Sequence, residues 1–137
     1  MSLANSKAKI TTIEGCQNTA KLAQEMFFEF KFSNIHLVNN DFKKCLPIIL
    51  KENKFDLVYF DGNHQKAATL YYFNQCLSSI HNNSIFIFDD INWSKEMQEA
   101  WEEIKKHPKV TVTINTYFWG IVFFRAEQAK QHFTIRV

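Results

Sequence analysis

Apolar and polar positions along this chain keep two different rhythms. Four short apolar runs each finish on an acid: Ile10 to Glu14, Ile35 to Asp41, Leu57 to Asp61, and Ile85 to the Asp89-Asp90 pair. They are rich in β-branched and aromatic residues and stop at Gly, Asn or Asp, which predicts strands near residues 9–14, 35–39, 56–60 and 84–88. The segments between them keep helical spacing. Ala20, Ala23, Phe27 and Phe30 share one face of a helix expected over 18–32. A short helix over 42–51 must accommodate Pro47. A third, over 65–80, carries Ala68, Leu70, Tyr71, Leu77 and Ile80. Ser94 can cap a fourth, in which Met97, Ala100, Trp101 and Ile104 form an apolar stripe. Lys105, Lys106 and His107 suit its C-terminal dipole, and Pro108 stops it.

Strands alternating with helices predict a parallel sheet. Every strand of such a sheet delivers its C-terminal end to one rim, where open α/β folds bind ligands. The acids are therefore expected along that rim. The unbroken run Leu57-Val58-Tyr59-Phe60 predicts a strand buried on both faces. Near the end, Val110 to Ile114 alternates with period two, and Phe118 to Phe124 follows after Asn115-Thr116-Tyr117. That connection is too short for a parallel crossover, so this pair predicts an antiparallel hairpin whose reversed strand closes one edge. The last dozen residues are expected to form a helical turn and tail.

A length of 137 residues suits a single domain, and a 46% hydrophobic content with 14 Phe allows a substantial core. Residues 1–8 are expected to be a tag or disordered start, with Met1-Ser2-Leu3 set aside as a vector remnant. The net charge of +2, with Lys spread over helix faces, does not mark a nucleic-acid binder. Cys16, Cys45 and Cys76 are far apart and form no CxxC pair, so they read as reduced cytoplasmic thiols, Cys76 packed in a helix. No signal peptide and no apolar run of about 18 residues occurs, which argues for a soluble chain without a membrane partner.

The local motifs add a resemblance. "TIEGCQNTAKLAQ", "NNDF", "FDLVYFDGNH", "SIFIFDDINWS" and "VTVTINTYFWGIVFFR" resemble, in order, the second to fifth motifs and the closing hairpin of class I S-adenosylmethionine-dependent methyltransferases. They run over about residues 9–125, and the DGxH and DD motifs point to the small O-methyltransferase-like subgroup. The resemblance implies a Rossmann-like α/β fold: a mostly parallel sheet, helices on both faces and a C-terminal antiparallel hairpin. The family's Gly-rich loop has no counterpart, since Gly15, Gly62 and Gly120 stand far apart. The expectation is an N-terminally truncated domain that lacks the family's first strand. Two strand edges would then lie open beside the gap and invite a second copy to pair there.

The same resemblance assigns roles. Glu14, beside Gly15, would accept hydrogen bonds from the cofactor's ribose hydroxyls, as a carboxylate with paired acceptors can. Asp41 and Phe42 would lie at the adenine, although Asp41 would cap the following helix in any case. Asp61 would face the cofactor. Asp61, Asp89 and Asp90 would hold Mg²⁺ or another hard divalent cation, since converging carboxylates repel unless neutralised. The alternative is that Asp89 or Asp90 caps a helix. His64, with Asp61 beside it, is the candidate general base, and could equally be a rim residue at a helix start. Trp93 reads as an acceptor-pocket wall or as a packed aromatic, and Trp101 as core. His36, His81, His107 and His132 have no ligand-like spacing. The implied activity is methyl transfer from S-adenosylmethionine to an oxygen of a small-molecule acceptor. A non-catalytic interaction module and a metal-dependent hydrolase are the competing readings.

Overall fold

The computed structural model describes residues 1–51 and 53–136. The chain forms two compact units, Met1–Ile48 and Ile49–Val137. The first contains β1 (Ile10–Glu14), α1 (Gln17–Glu29) and β2 (Ile35–Asn39). β1 and β2 pair in parallel from Ile10 opposite Ile35 to Glu14 opposite Asn39. Residues 1–8, expected as a tag or disordered start, form turns. They are fastened by Asn34, whose side chain donates to the Ala8 carbonyl at 2.9 Å and accepts from Ser2 Oγ at 2.6 Å. α1 buries Ala20, but the expected face is narrower than its spacing suggested: Phe30 lies beyond the helix and is 61% exposed. α2 (Phe42–Leu50) crosses the boundary between the units and keeps Pro47 inside it.

The second unit holds β3 (Leu57–Phe60), α3 (Lys66–Cys76), β4 (Ile85–Phe88), α4 (Lys95–Lys106), β5 (Val112–Asn115), β6 (Gly120–Phe123) and β7 (Gln131–Thr134). Its sheet runs β3-β4-β6-β5-β7. β3 and β4 are parallel, β6 is antiparallel to both β4 and β5, and β7 is parallel to β5. The hairpin formed as expected, but its reversed strand sits inside the sheet rather than closing an edge. The expected C-terminal helical turn is instead strand β7, which hydrogen-bonds along the outer edge of β5. Its sequence Gln131-His132-Phe133-Thr134 is too short to declare a period of its own. A strand forms because β5 offers an unpaired ladder to saturate.

β4 carries the core of this unit. Phe86 and Phe88 point to one face and are essentially fully buried. They meet Phe73 of α3, and Phe88 stacks on Phe60 with ring centroids 4.4 Å apart. α4 presents Met97, Ala100, Trp101 and Ile104 to the same core, as its stripe predicted. Ser94 Oγ caps that helix by accepting from the Met97 amide at 3.2 Å. α3 and α4 are also clamped by Lys66, whose Nζ lies 3.2 Å from Glu99 and 2.6 Å from Glu103. β3 departs from expectation: Leu57 and Tyr59 are each 38% exposed, so the strand is not buried on both faces. It is an edge strand with β4 as its neighbour, and an unbroken apolar run does not distinguish that position from a central one. Among the described residues, no helix is long and apolar enough to cross a membrane.

Two local features of the second unit generate tests. Gly120 of β6 lies against Trp101, and a Cβ there would come within 2.5 Å of the indole ring. Trp101 is itself buried and cannot swing away. Gly120→Ala is expected to destabilise the chain by about 1–3 kcal/mol through overpacking, read as a lower urea midpoint. The second feature is a pair of histidines. Burial first, then Lys109 and Lys130, holds the His107 imidazole below its ordinary range. Burial, then Lys105 and Lys130, does the same to His132, which hydrogen-bonds Thr113 Oγ1 at 2.8 Å. In the unfolded chain both rings titrate near pH ~6.5. Below that pH the unfolded state binds protons that the folded state resists, so stability is full above it and falls as pH drops toward the lowered folded values. The urea midpoint at pH ~5.5 is expected to lie below that at pH ~7.5. A His107→Gln/His132→Gln variant should show a smaller gap.

Candidate functional site

In the first unit the carboxyl ends of β1 and β2 place Glu14, Gly15 and Asp41 close together. Glu14 Oε1 accepts from the Cys16 amide at 2.7 Å. Its carbonyl accepts from Asn39 Nδ2 at 2.7 Å and from the Asn40 amide at 3.2 Å, which ties the two strand ends. A carboxylate offers about four acceptor positions, so Glu14 keeps capacity for a vicinal diol. Asp41 caps α2: its Oδ1 accepts from the Lys43 amide at 2.8 Å, and its carbonyl accepts from Lys44 and Cys45. Its carboxylate is exposed. Phe42 is half-buried at the first position of the helix. Gly15 has no steric necessity, because a Cβ would meet only the Asn40 carbonyl at 3.9 Å. Cys16, at the start of α1, has its thiol held below the ordinary range by hydrogen bonds with Thr19 and Asn18.

In the second unit the carboxyl ends of β3 and β4 bring Asp61, His64 and Asp90 together. His64 Nε2 lies 3.7 Å from Asp61 Oδ1 and 3.9 Å from Asp90 Oδ2. The turn that folds His64 back passes through Asn63, whose φ is 53° and whose carbonyl accepts from the Gln65 amide at 2.6 Å. Asn is among the few residues that tolerate this left-handed conformation. Asp90 is also left-handed, with φ 54°. That reverses the chain after β4 and leaves Asp89 and Asp90 on different errands. Asp89 Oδ2 accepts from the Tyr59 hydroxyl at 2.6 Å. Burial, then the Asp89 hydrogen bond and charge, pushes the Tyr59 phenol well above its ordinary range.

The expected cation site therefore does not fit these side chains as they stand. Among the described residues, no three of His, Cys, Asp and Glu gather closely enough to hold a metal ion. Asp89 is engaged by Tyr59, while Asp61 and Asp90 flank an imidazole. Neither Asp89 nor Asp90 caps α4 either, since Ser94 does so.

Beside Asp90 lies a cavity of about 210 Å³ lined by Asp90, Asn92, Trp93, Tyr117 and Phe118. It forms where the β4–α4 loop meets the β5–β6 turn. Asn92 Nδ2 donates to the Tyr117 carbonyl at 2.7 Å, and the Ile91 amide donates to Phe118 at 3.2 Å. Tyr117 pays for this bend with a φ of 82°, strained for an aromatic residue. Trp93 is 74% exposed, so it is a wall of this cavity and not a packed aromatic. Sequence reasoning missed Tyr59, Tyr117 and Phe118. It placed Phe118 inside a strand, whereas the strand starts at Gly120. The available signal was three consecutive aromatics, Tyr117-Phe118-Trp119, in a hairpin connection where polar turn residues are the norm.

Comparison with known proteins gives a family and a fold. A family model described as methyltransferase domain matches residues 1–91. Comparison with curated protein sequences finds no match. Among solved structures, the chain is similar to an SAH-bound methyltransferase from Podospora anserina, at 15% identity and TM-score 0.76 over 89% of this chain and 63% of that one. It is similar to an O-methyltransferase from Bacillus cereus in complex with SAH, at 17% identity and TM-score 0.68 over 85% of this chain and 63% of that one. It is also similar to the O-methyltransferase TomG from Streptomyces achromogenes, involved in tomaymycin synthesis and solved with SAM, at 16% identity and TM-score 0.74 over 89% and 64%. The chain thus spans 63–64% of the length of these structures. At these identities the likeness speaks for the fold, an α/β fold with a mostly parallel sheet and helices. The match over residues 1–91 carries the family: this chain belongs to the methyltransferase domain family.

Proposed function

We propose that the chain forms part of an S-adenosylmethionine-dependent methyltransferase that transfers a methyl group to an oxygen of a small molecule. The observation that carries this reading is His64 held between Asp61 and Asp90 at the carboxyl ends of β3 and β4. When bound, the cofactor supplies an electrophilic methyl on a positively charged sulfur. Glu14 would accept from its ribose hydroxyls, with Asp41 and Phe42 toward the adenine and Asp61 toward the cofactor. His64 would take the proton from the acceptor hydroxyl as the oxygen becomes nucleophilic, and the proton would stay on the imidazole. Asp61 and Asp90 would stabilise the imidazolium so formed. Methyl transfer is an in-line displacement, so most of the remaining catalysis is positioning. No step is routed through a divalent cation, for which the side chains are not arranged. The free thiols of Cys16, Cys45 and Cys76 favour a cytoplasmic setting.

Two measurements test this. In calorimetric titration the chain is expected to bind S-adenosylhomocysteine, and Glu14→Ala to weaken binding about tenfold or more, the usual worth of hydrogen bonds to a charged group. With labelled S-adenosylmethionine and a panel of hydroxylated small molecules, His64→Gln is expected to lower kcat about 10²–10⁴-fold. No titration heat, or equal turnover by His64→Gln, would overturn the corresponding assignment.

We further propose that the chain associates with a second copy through its strand edges. β1 pairs with β2 alone and β3 with β4 alone, so each keeps an unpaired edge among the described residues. Such edges template pairing with another chain. Sedimentation equilibrium is expected to give a mass above 16.2 kDa that rises with concentration. A strictly monomeric mass at every concentration would exclude it.

A further inference from the structure

We infer that the cavity at the β4–α4 loop is a subsite for an organic ammonium group, built from the Asp90 carboxylate and the rings of Trp93, Tyr117 and Phe118. Each part of the wall argues for this class of ligand. Trp93, Tyr117 and Phe118 are 74%, 52% and 64% exposed, an unusual outlay of aromatic surface for residues that line one small space. Aromatic faces carry negative potential and attract alkylammonium groups. One face of Tyr117 already shows this attraction, since the Arg136 guanidinium lies over it at 5.8 Å from the ring centroid, which leaves a guest the rest of the wall. The volume of about 210 Å³ suits a head group and is small for a whole ligand.

Charge narrows the choice. Asp90 lines the cavity with its side chain 35% exposed, Asp61 stands across His64 from it, and Asp89 Oδ1 accepts from the Asp90 amide at 3.0 Å. A neutral aromatic guest would cover a carboxylate without replacing its water, which is costly. A hard metal ion would need six or more oxygens, and three of the five lining residues present rings. An ammonium group satisfies both the carboxylate and the rings. The walls are also held in place before any guest arrives. The Asn92 side chain and the Ile91 amide fasten the β5–β6 turn to the β4–α4 loop. Identifying the ammonium with part of the methyl acceptor rests on the methyltransferase reading. It would make the acceptor an amine that also carries a hydroxyl, with His64 3.9 Å from Asp90 at the junction of the two groups. Binding of the ammonium itself does not rest on that reading.

The test uses choline and its neutral isostere 3,3-dimethyl-1-butanol, with no cofactor present. Tryptophan indole signals are followed by proton–nitrogen correlation spectra of the chain. Choline is expected to move the Trp93 signal saturably, and the neutral isostere to bind about tenfold more weakly or worse. Asp90→Asn is expected to abolish most of this discrimination. Asn is tolerated at the left-handed φ of position 90, so the variant keeps the loop, and unchanged Trp101 and Trp119 signals check that it does. Equal shifts with both probes, no shift with either, or discrimination that survives in Asp90→Asn would overturn the proposal. Because the cofactor is absent, neither result depends on whether methyl transfer occurs.

Discussion

The second unit depends on burying one face of β4. Phe86 and Phe88 alternate with Ile85 and Ile87, and the two rings are all but removed from water. Each such ring is worth roughly 1.5–3 kcal/mol when fully buried. This requires α3 and α4 on that side, with Phe73 and Trp101 packed against the rings. It also fixes register, because a slip of one residue would turn both rings to the other face. Asp89 and Asp90 stand where they do because Phe88 ends the buried run. The site is therefore positioned by packing that takes no part in its chemistry.

The close approach of Gly120 to Trp101 extends that constraint to the other side of the site. β6 can lie beside β4 with its first residue on the indole because that residue has no side chain. The turn before it, from Thr116 to Trp119, is then brought against the β4–α4 loop. Thr116 and Trp119 close the turn through the Thr116 amide and the Trp119 carbonyl at 2.9 Å. Three aromatics are thereby exposed beside an acid. Of the four left-handed non-glycine positions among the described residues, Asn63, Asp90 and Tyr117 lie in this region and Lys31 lies in the first unit; of the three, Tyr117 is the one under strain. Such strain survives only where surrounding contacts over-determine it, and it is common at functional sites.

The acids illustrate how environment separates residues of one type. Asp89 is drawn to a phenol, Asp90 and Asp61 flank an imidazole, Asp41 caps a helix, and Glu14 holds the Cys16 amide. A site read as three converging carboxylates became one imidazole with two carboxylates and a separate tyrosine–aspartate pair.

Sequence alone determined the elements with strong local signals. α4 followed from its stripe and from Ser94, β1 to β4 from their apolar runs, and the hairpin from a connection too short to cross over. The family motifs placed Glu14, Asp41, Asp61, His64, Asp89 and Asp90 at strand ends, because a strand end is a local property. What sequence could not carry was non-local. The tail became β7 because β5 had a free ladder, and β3 left Leu57 and Tyr59 half-exposed because it borders on β4 alone. Phe118 lies in the turn before its expected strand, where its carbonyl accepts from the Ile91 amide, and Asp89 left the expected cation site because Tyr59 reaches it. Each of these was decided by a neighbour distant in the chain, and the pattern of one segment contains no record of its neighbours.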